Sequence, residues 1–221
     1  RTNLVAKWKQ IDGMLLSGVP SAPTNGSSSG YGKFRSVTEG SGTKLAGAID
    51  ADGVRLQTLP LCRAVASLGG TKQLVMAADS VVDLTQEETI DLRYGSLALL
   101  NLDVGQGFRF GRTRGDSIRV SSVDGASILV ERNGQGFQLS IHGTGLVGET
   151  TLTNRRVVIE GPAGNLRDVA EVPKKLPRWT RERIDRISLG RNVLANLSGS
   201  NDVSRSIIQT LAAGGVNDSS A

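Results

Sequence analysis

The chain has 221 residues and a formal net charge of +5; 38% of its residues are hydrophobic, 21% charged and 4% aromatic. That length can bury one good core with a small appendage, and no stretch approaches the roughly 18 consecutive apolar residues of a membrane-spanning helix. A single cysteine, Cys62, excludes an internal disulfide, and a single histidine, His142, leaves too few ligands for an ordinary zinc site.

In chain order, Leu4, Val5, Trp8, Ile11, Leu15 and Leu16 fit either a short amphipathic helix or a strand pair broken at Asp12-Gly13. The chain opens at Arg1 with neither Met nor a signal-peptide pattern, as expected of a fragment or processed product, for which any anchor or export signal would lie upstream. From Ser17 to Ser29 the composition turns to Ser, Gly, Pro, Asn and Thr, and Asn25–Gly30 reads as a flexible surface loop.

A regular series of short alternating segments follows. Val54–Thr58 alternates, and Ala64–Leu68 and Gln73–Met76 flank the hairpin signal Gly69-Gly70. Val81–Leu84, Thr89–Arg93, Ser96–Leu102, Phe108–Phe110, Ser117–Val120, Ala126–Val130, Gly136–Ile141 and Arg156–Glu160 continue it, with Asp124-Gly125 and Asn133-Gly134 as further turn signals. Period 2 sends Val, Leu, Ile and Ala to one side and Arg, Gln, Ser or Asp to the other. More than ten such strands, spaced about ten residues apart, predict an all-β body: β-solenoid-like, or a rolled β-sheet or sandwich. Cys62 falls beside a strand and reads as a small buried hydrophobe.

Beyond Ala170 the character changes. Pro173 and Pro177 punctuate the chain, and a helix starting at Trp179 or Thr180 would place Ile184, Ile187, Val193, Leu194 and Leu197 near one face. Gly190 would weaken that helix by about 1 kcal/mol. Between Lys174 and Arg191 seven basic residues face only Glu182 and Asp185, whereas residues 1–173 are nearly neutral, so the basic character belongs to this one segment. The expected organisation is an N-terminal element with a Gly/Ser loop over 1–51, a β domain over 52–172, and a small basic helical appendage with a disordered tail over 173–221.

None of the motifs amounts to a catalytic signature. Gly143-Thr-Gly-Leu-Val-Gly148 spells G-x-G-x-x-G after a strand, but the seven residues from Glu149 to Arg155 cannot form the crossover helix of a dinucleotide-binding unit. A sharply turned β connection is the simpler reading. Asp50 with Asp52, and Glu87 with Glu88, read as solvated turn carboxylates rather than an acid/base pair. No catalytic residue, metal ligand or cofactor site is predicted. Lys174, Lys175, Arg178, Arg181 and Arg186, beside Trp179, are candidate contacts for an anionic partner, nucleic acid or phospholipid included. Glu182 and Asp185 interleave with them, which favours a solvated amphipathic helix packed beside the β body with Ile184 and Ile187 inward. Arg112, Arg114 and Arg119 form a smaller basic cluster that could also receive an anion.

Several segments resemble FecR-like domains: Leu56–Thr58, Arg63–Gly70, Gln73–Leu84, Leu92–Leu99, Ile118–Ala126 and the closing Val157–Gly161. The resemblance spans residues 52–172. It departs from the family where a Gly-Thr-Phe-like step is expected, since the nearest match, Gly143-Thr-Gly145, lacks the aromatic. The resemblance implies the periplasmic or extracytoplasmic part of a membrane-anchored protein of the bacterial cell envelope. Such proteins relay the state of an outer-membrane transporter to a sigma factor and are not enzymes. The expected function is therefore a protein-interaction and signalling module with a protein partner in the envelope, with segment 173–197 capping an open sheet edge. The alternatives are a carbohydrate-binding or carbohydrate-active β domain and an anionic-polymer binder working through 174–191.

Overall fold

The computed structural model describes residues 4–18, 34–46, 53–85, 89–111, 117–133, 136–160, 165–173 and 175–182. The segment Arg1–Leu16 takes the second of its two predicted forms. It is a strand pair, β1 (Leu4–Asp12) and β2 (Leu15–Gly18), broken at Gly13, whose φ is +98°. Two short strands follow, β3 (Arg35–Ser36) and β4 (Gly42–Ala46).

Every predicted strand run then forms. In order these are β5 (Val54–Thr58), β6 (Arg63–Gly69), β7 (Lys72–Met76), β8 (Ser80–Leu84), β9 (Thr89–Leu100), β10 (Gly107–Gly111), β11 (Ser117–Ser122), β12 (Ser127–Asn133) and β13 (Gly136–His142). The remaining strands are β14 (Thr144–Val147), β15 (Thr150–Thr153), β16 (Arg155–Glu160) and β17 (Asn165–Glu171). The protein is all-β, an open mixed arrangement not closed into a barrel.

Pairing sorts the strands into two sheets that share one strand. Sheet I runs β4-β1-β6-β7-β9-β12-β13-β16-β17. Sheet II runs β3-β2-β5-β8-β9-β10-β11-β14-β15. All pairs are antiparallel except β9 with β10. Where two strands were expected, over 89–93 and 96–102, there is one twelve-residue β9, which lies in sheet II up to Tyr94 and in sheet I from Gly95. Gly95 makes that change with φ +83°; a Cβ there would fall 2.4 Å from Ser80 Oγ and 2.6 Å from Asp79 O, so no larger residue fits. Ser80 Oγ secures the bend by donating to Ser96 O and accepting from Ser96 N.

The alternation read from sequence becomes rows of side chains across the strands. In sheet I, Ala64, Met76, Leu97, Val130, Leu139 and Val157 stand side by side. In sheet II the matching row is Val54, Leu84, Ile90, Phe110 and Ile118. These inward rows join in a single core, with Trp8 of β1 fully buried in it. Burying each large side chain contributes about 1.5–3 kcal/mol, so the shared interior is the main source of stability. Trp8 also donates its indole N–H to Thr43 Oγ1 at 2.9 Å.

The expected β6–β7 hairpin forms at this Gly pair, with Gly69 (φ +100°) paired to Lys72 and the tip at Gly70 (φ +57°) and Thr71. Asp124-Gly125 is a turn of a different kind. It joins β11 of sheet II to β12 of sheet I, strands that do not pair with each other. The G-x-G-x-x-G stretch is β structure, with Gly143 (φ +97°) at the exit of β13 and Gly148 (φ +59°) in the β14–β15 hairpin.

The predicted helix from Trp179 or Thr180 lies mostly outside the described residues. Its described part is a single 3-10 turn, Arg178–Thr180. Of the segment 173–197 expected to cap a sheet edge, residues 183–197 lie outside the described residues; in the described part, Leu176 and Trp179 pack on Val65, Val75, Ala98, Leu100 and Leu129, which belong to the central strands of sheet I.

Candidate functional site

With the inward rows buried, the surfaces open to partners are the two outer faces and the edge strands. On sheet I the outward row reads Val65, Val75, Ala98, Leu129, Ser140 and Arg156 from β6 to β16. Its apolar part is covered by residues 175–181, a strap that packs on the face through Leu176 and Trp179. Arg63, at the start of β6, fastens it by donating from Nε to Trp179 O and from Nη2 to Thr180 O at 3.0 Å. Arg63 is buried, and its Nη1 lies 3.5 Å from Asp12 Oδ2. A buried guanidinium needs such partners, because an uncompensated buried charge costs several kcal/mol. The strap thus completes the environment of Arg63 as well as that of the apolar row. Its own turn closes through Thr180 N and Thr180 Oγ1, which both donate to Pro177 O.

The sequence-predicted cations divide accordingly. Lys175, Arg178 and Arg181 are exposed on the strap. Arg181 donates from Nη2 to Leu176 O at 3.2 Å. Lys174 and Arg186 lie outside the described residues, as do Asp50, Asp52, Glu87, Glu88, Arg112 and Arg114.

The outer face of sheet II is ionic. Arg55, Asp83 and Asp91 align across β5, β8 and β9, and both carboxylates are buried. Arg55 grips Asp83 bidentately, Nε and Nη2 each 2.7 Å from a carboxylate oxygen. Arg93 reaches Asp91 Oδ2 at 2.9 Å and Asp83 Oδ2 at 3.7 Å. Arg132 comes from β12 to Asp91 Oδ1 at 3.4 Å, donates to Leu92 O at 3.1 Å, and stacks over Phe137 at 4.9 Å. The hydrogen bonds that Arg55 donates to Asp83 raise its pKa above the usual value, against an opposing effect of burial. All four carboxylate oxygens are engaged by guanidinium groups, an arrangement suited to holding strands together rather than to acid/base chemistry. This cluster was not recognised from sequence, although Val82-Asp83-Leu84 and Ile90-Asp91-Leu92 carry the signal: an acid at the outward position of an otherwise apolar strand.

His142 sits on the outer side of sheet I. Partial burial lowers its pKa, and the nearby Arg156 lowers it further. Cys62 is buried and accepts from Met14 N at 3.2 Å. Among the described residues, no three His, Cys, Asp or Glu side chains gather as a metal site, and no helix is long and apolar enough to cross a membrane. Neither family models nor curated proteins give a match to this chain.

Proposed function

We propose that this chain is a non-enzymatic protein-interaction and signalling module, the extracytoplasmic part of a membrane-anchored, FecR-like protein of the bacterial cell envelope. The observation that carries the reading is the edge strand β17. It pairs with β16 on one side and with no other strand among the described residues. Leu166, Arg167, Ala170 and Glu171 on it are exposed. A partner segment could add a strand there, with main-chain hydrogen bonds giving affinity and alternate side chains giving specificity. The run of FecR-like segments from Leu56 to Gly161 supports the same reading. So does the fate of the two tryptophans. A sugar platform needs exposed aromatics, whereas Trp8 is fully buried and Trp179 packs on sheet I.

The test is capture of envelope proteins of the source organism on the full chain, followed by hydrogen exchange of the isolated complex. Slowed exchange of the β17 amides in the complex is expected. A captured partner that leaves β17 exchange unchanged, or retention of polysaccharide in place of protein, contradicts the reading. A second reading, contact with an anionic polymer through 174–191, is favoured by the exposure of Lys175, Arg178 and Arg181. It predicts binding that falls steeply with added salt.

A further inference from the structure

We infer that the outer face of sheet II carries a binding site for a phosphate- or sulfate-type oxyanion, built on Arg109 and Arg119. Arg109 of β10 and Arg119 of β11 are directly opposed in the antiparallel register. Their strand neighbours Phe108, Phe110 and Val120 are buried in the core, so the two arginines project from the opposite, outer face. Directly opposed residues in such a pair have Cα atoms about 4.5–5.5 Å apart, and like charges in that position repel. Arg109 is half-buried and Arg119 exposed. Neither side chain makes a hydrogen bond or ion pair among the described residues, although Asp83 and Asp91 lie on the same face; those carboxylates are held by Arg55, Arg93 and Arg132 instead.

The surroundings leave room for a ligand. On β10, the residues two positions either side of Arg109 are Gly107 and Gly111; on β11, those beside Arg119 are Ser117 and Ser121. On the far side of β11, Gly148 lies against Arg119 and donates its N–H to Arg119 O at 2.8 Å. Gly107 is required by close approach, since a Cβ there would fall 2.6 Å from Ser121 Cβ and 2.7 Å from Val120 O. Among the described residues, two guanidinium groups therefore stand on a shelf of glycine and serine with no bulky side chain between them. An oxyanion placed between them accepts fork-like hydrogen bonds from both and removes their repulsion. The chemical class is a compact tetrahedral anion, free or carried on a small molecule as an ester.

The test is thermal unfolding and calorimetric titration of the full chain with inorganic phosphate, sulfate, glucose 6-phosphate and acetate, against sodium chloride at matched ionic strength. Phosphate at tenfold excess over its dissociation constant should raise Tm by roughly 3 °C or more, and chloride should not. In Arg119→Gln the anion-dependent shift should disappear. Its Tm without anion should equal or exceed that of the parent chain, because the repulsion is gone, a result that a merely structural arginine would not give. Arg109→Gln should also lose the shift. Glucose 6-phosphate binding tenfold tighter than phosphate identifies an ester as the ligand; equal binding identifies the free ion. Three results overturn the inference: an unchanged phosphate shift in Arg119→Gln, an equal shift from chloride, or loss of the shift only in Lys175→Gln with Arg178→Gln, which assigns the anion to the strap.

Discussion

The two outer faces of the protein solve the same problem in opposite ways. Sheet I turns Val65, Val75, Ala98, Leu100 and Leu129 outward and covers them with its own C-terminal strap. Sheet II turns Arg55, Asp83, Asp91 and Arg93 outward and neutralises the carboxylates with these arginines and with Arg132 from the neighbouring β12 of sheet I. The first face depends on a segment more than a hundred residues downstream of Arg63, the second on cross-strand neighbours. An apolar face can be uncovered by moving one segment, and an ionic face cannot. The cover of sheet I therefore rests on one segment and a few contacts, whereas the charges of sheet II are held by side chains on several strands.

The largest effect should come from removing the cover. A chain ending at residue 173 loses Leu176 and Trp179 from the apolar row and strips Arg63 of two carbonyl acceptors. It should expose apolar surface and self-associate, as seen by light scattering and dye binding. A monomeric truncation as stable as the full chain would remove the strap from any structural role.

On the other face, Asp91→Ala should cost about 3 kcal/mol in urea unfolding, because it leaves Arg132 and Arg93 without a shared acceptor. The cost should fall markedly if Arg132 is replaced as well, since a double-mutant cycle isolates their coupling. Trp179→Ala should cost less, about 2 kcal/mol, because the ring is only part-buried, and the loss should appear as faster exchange in 175–182 with little change in sheet II.

How much of this was legible follows from what each face presents. The strands of sheet II alternate visibly, as in Val54–Thr58 and Ser117–Val120, so their existence and inward residues could be read directly. Segments such as Ala64–Leu68 and Leu97–Leu100 are apolar at successive positions. That continuous pattern marks strands covered on both sides, though it does not say by what. The strap escaped because the basic residues around it suggest a solvated helix, whereas the packing is done by Leu176 and Trp179 between them. Strand β17 escaped because Asn165–Glu171 mixes charges with only two large apolar residues, as an edge strand does. Nothing in the sequence around Arg63 marks it as buried; its contacts with Trp179 O and Thr180 O come from a segment more than a hundred residues away. The pairing of Arg109 with Arg119 needed a register, which alternation alone does not supply.

The smallest expected effect lies at the polar end of the sheet I face, where His142 is part-buried near Arg156. Its pKa in the folded protein is lowered from an ordinary value of 6.5, first by burial and then by Arg156. Well above pH 6.5 the imidazole is neutral in both folded and unfolded chains, and the shift has no effect on stability. As pH falls below 6.5 the unfolded chain takes up the proton first, so stability declines until the folded-state pKa is passed and then levels off. His142→Asn should flatten this part of the pH–stability profile between pH 7 and 5. Arg156→Gln should flatten it in part, since burial is the larger cause. Unchanged slopes in both variants would place the acid sensitivity of the protein away from His142.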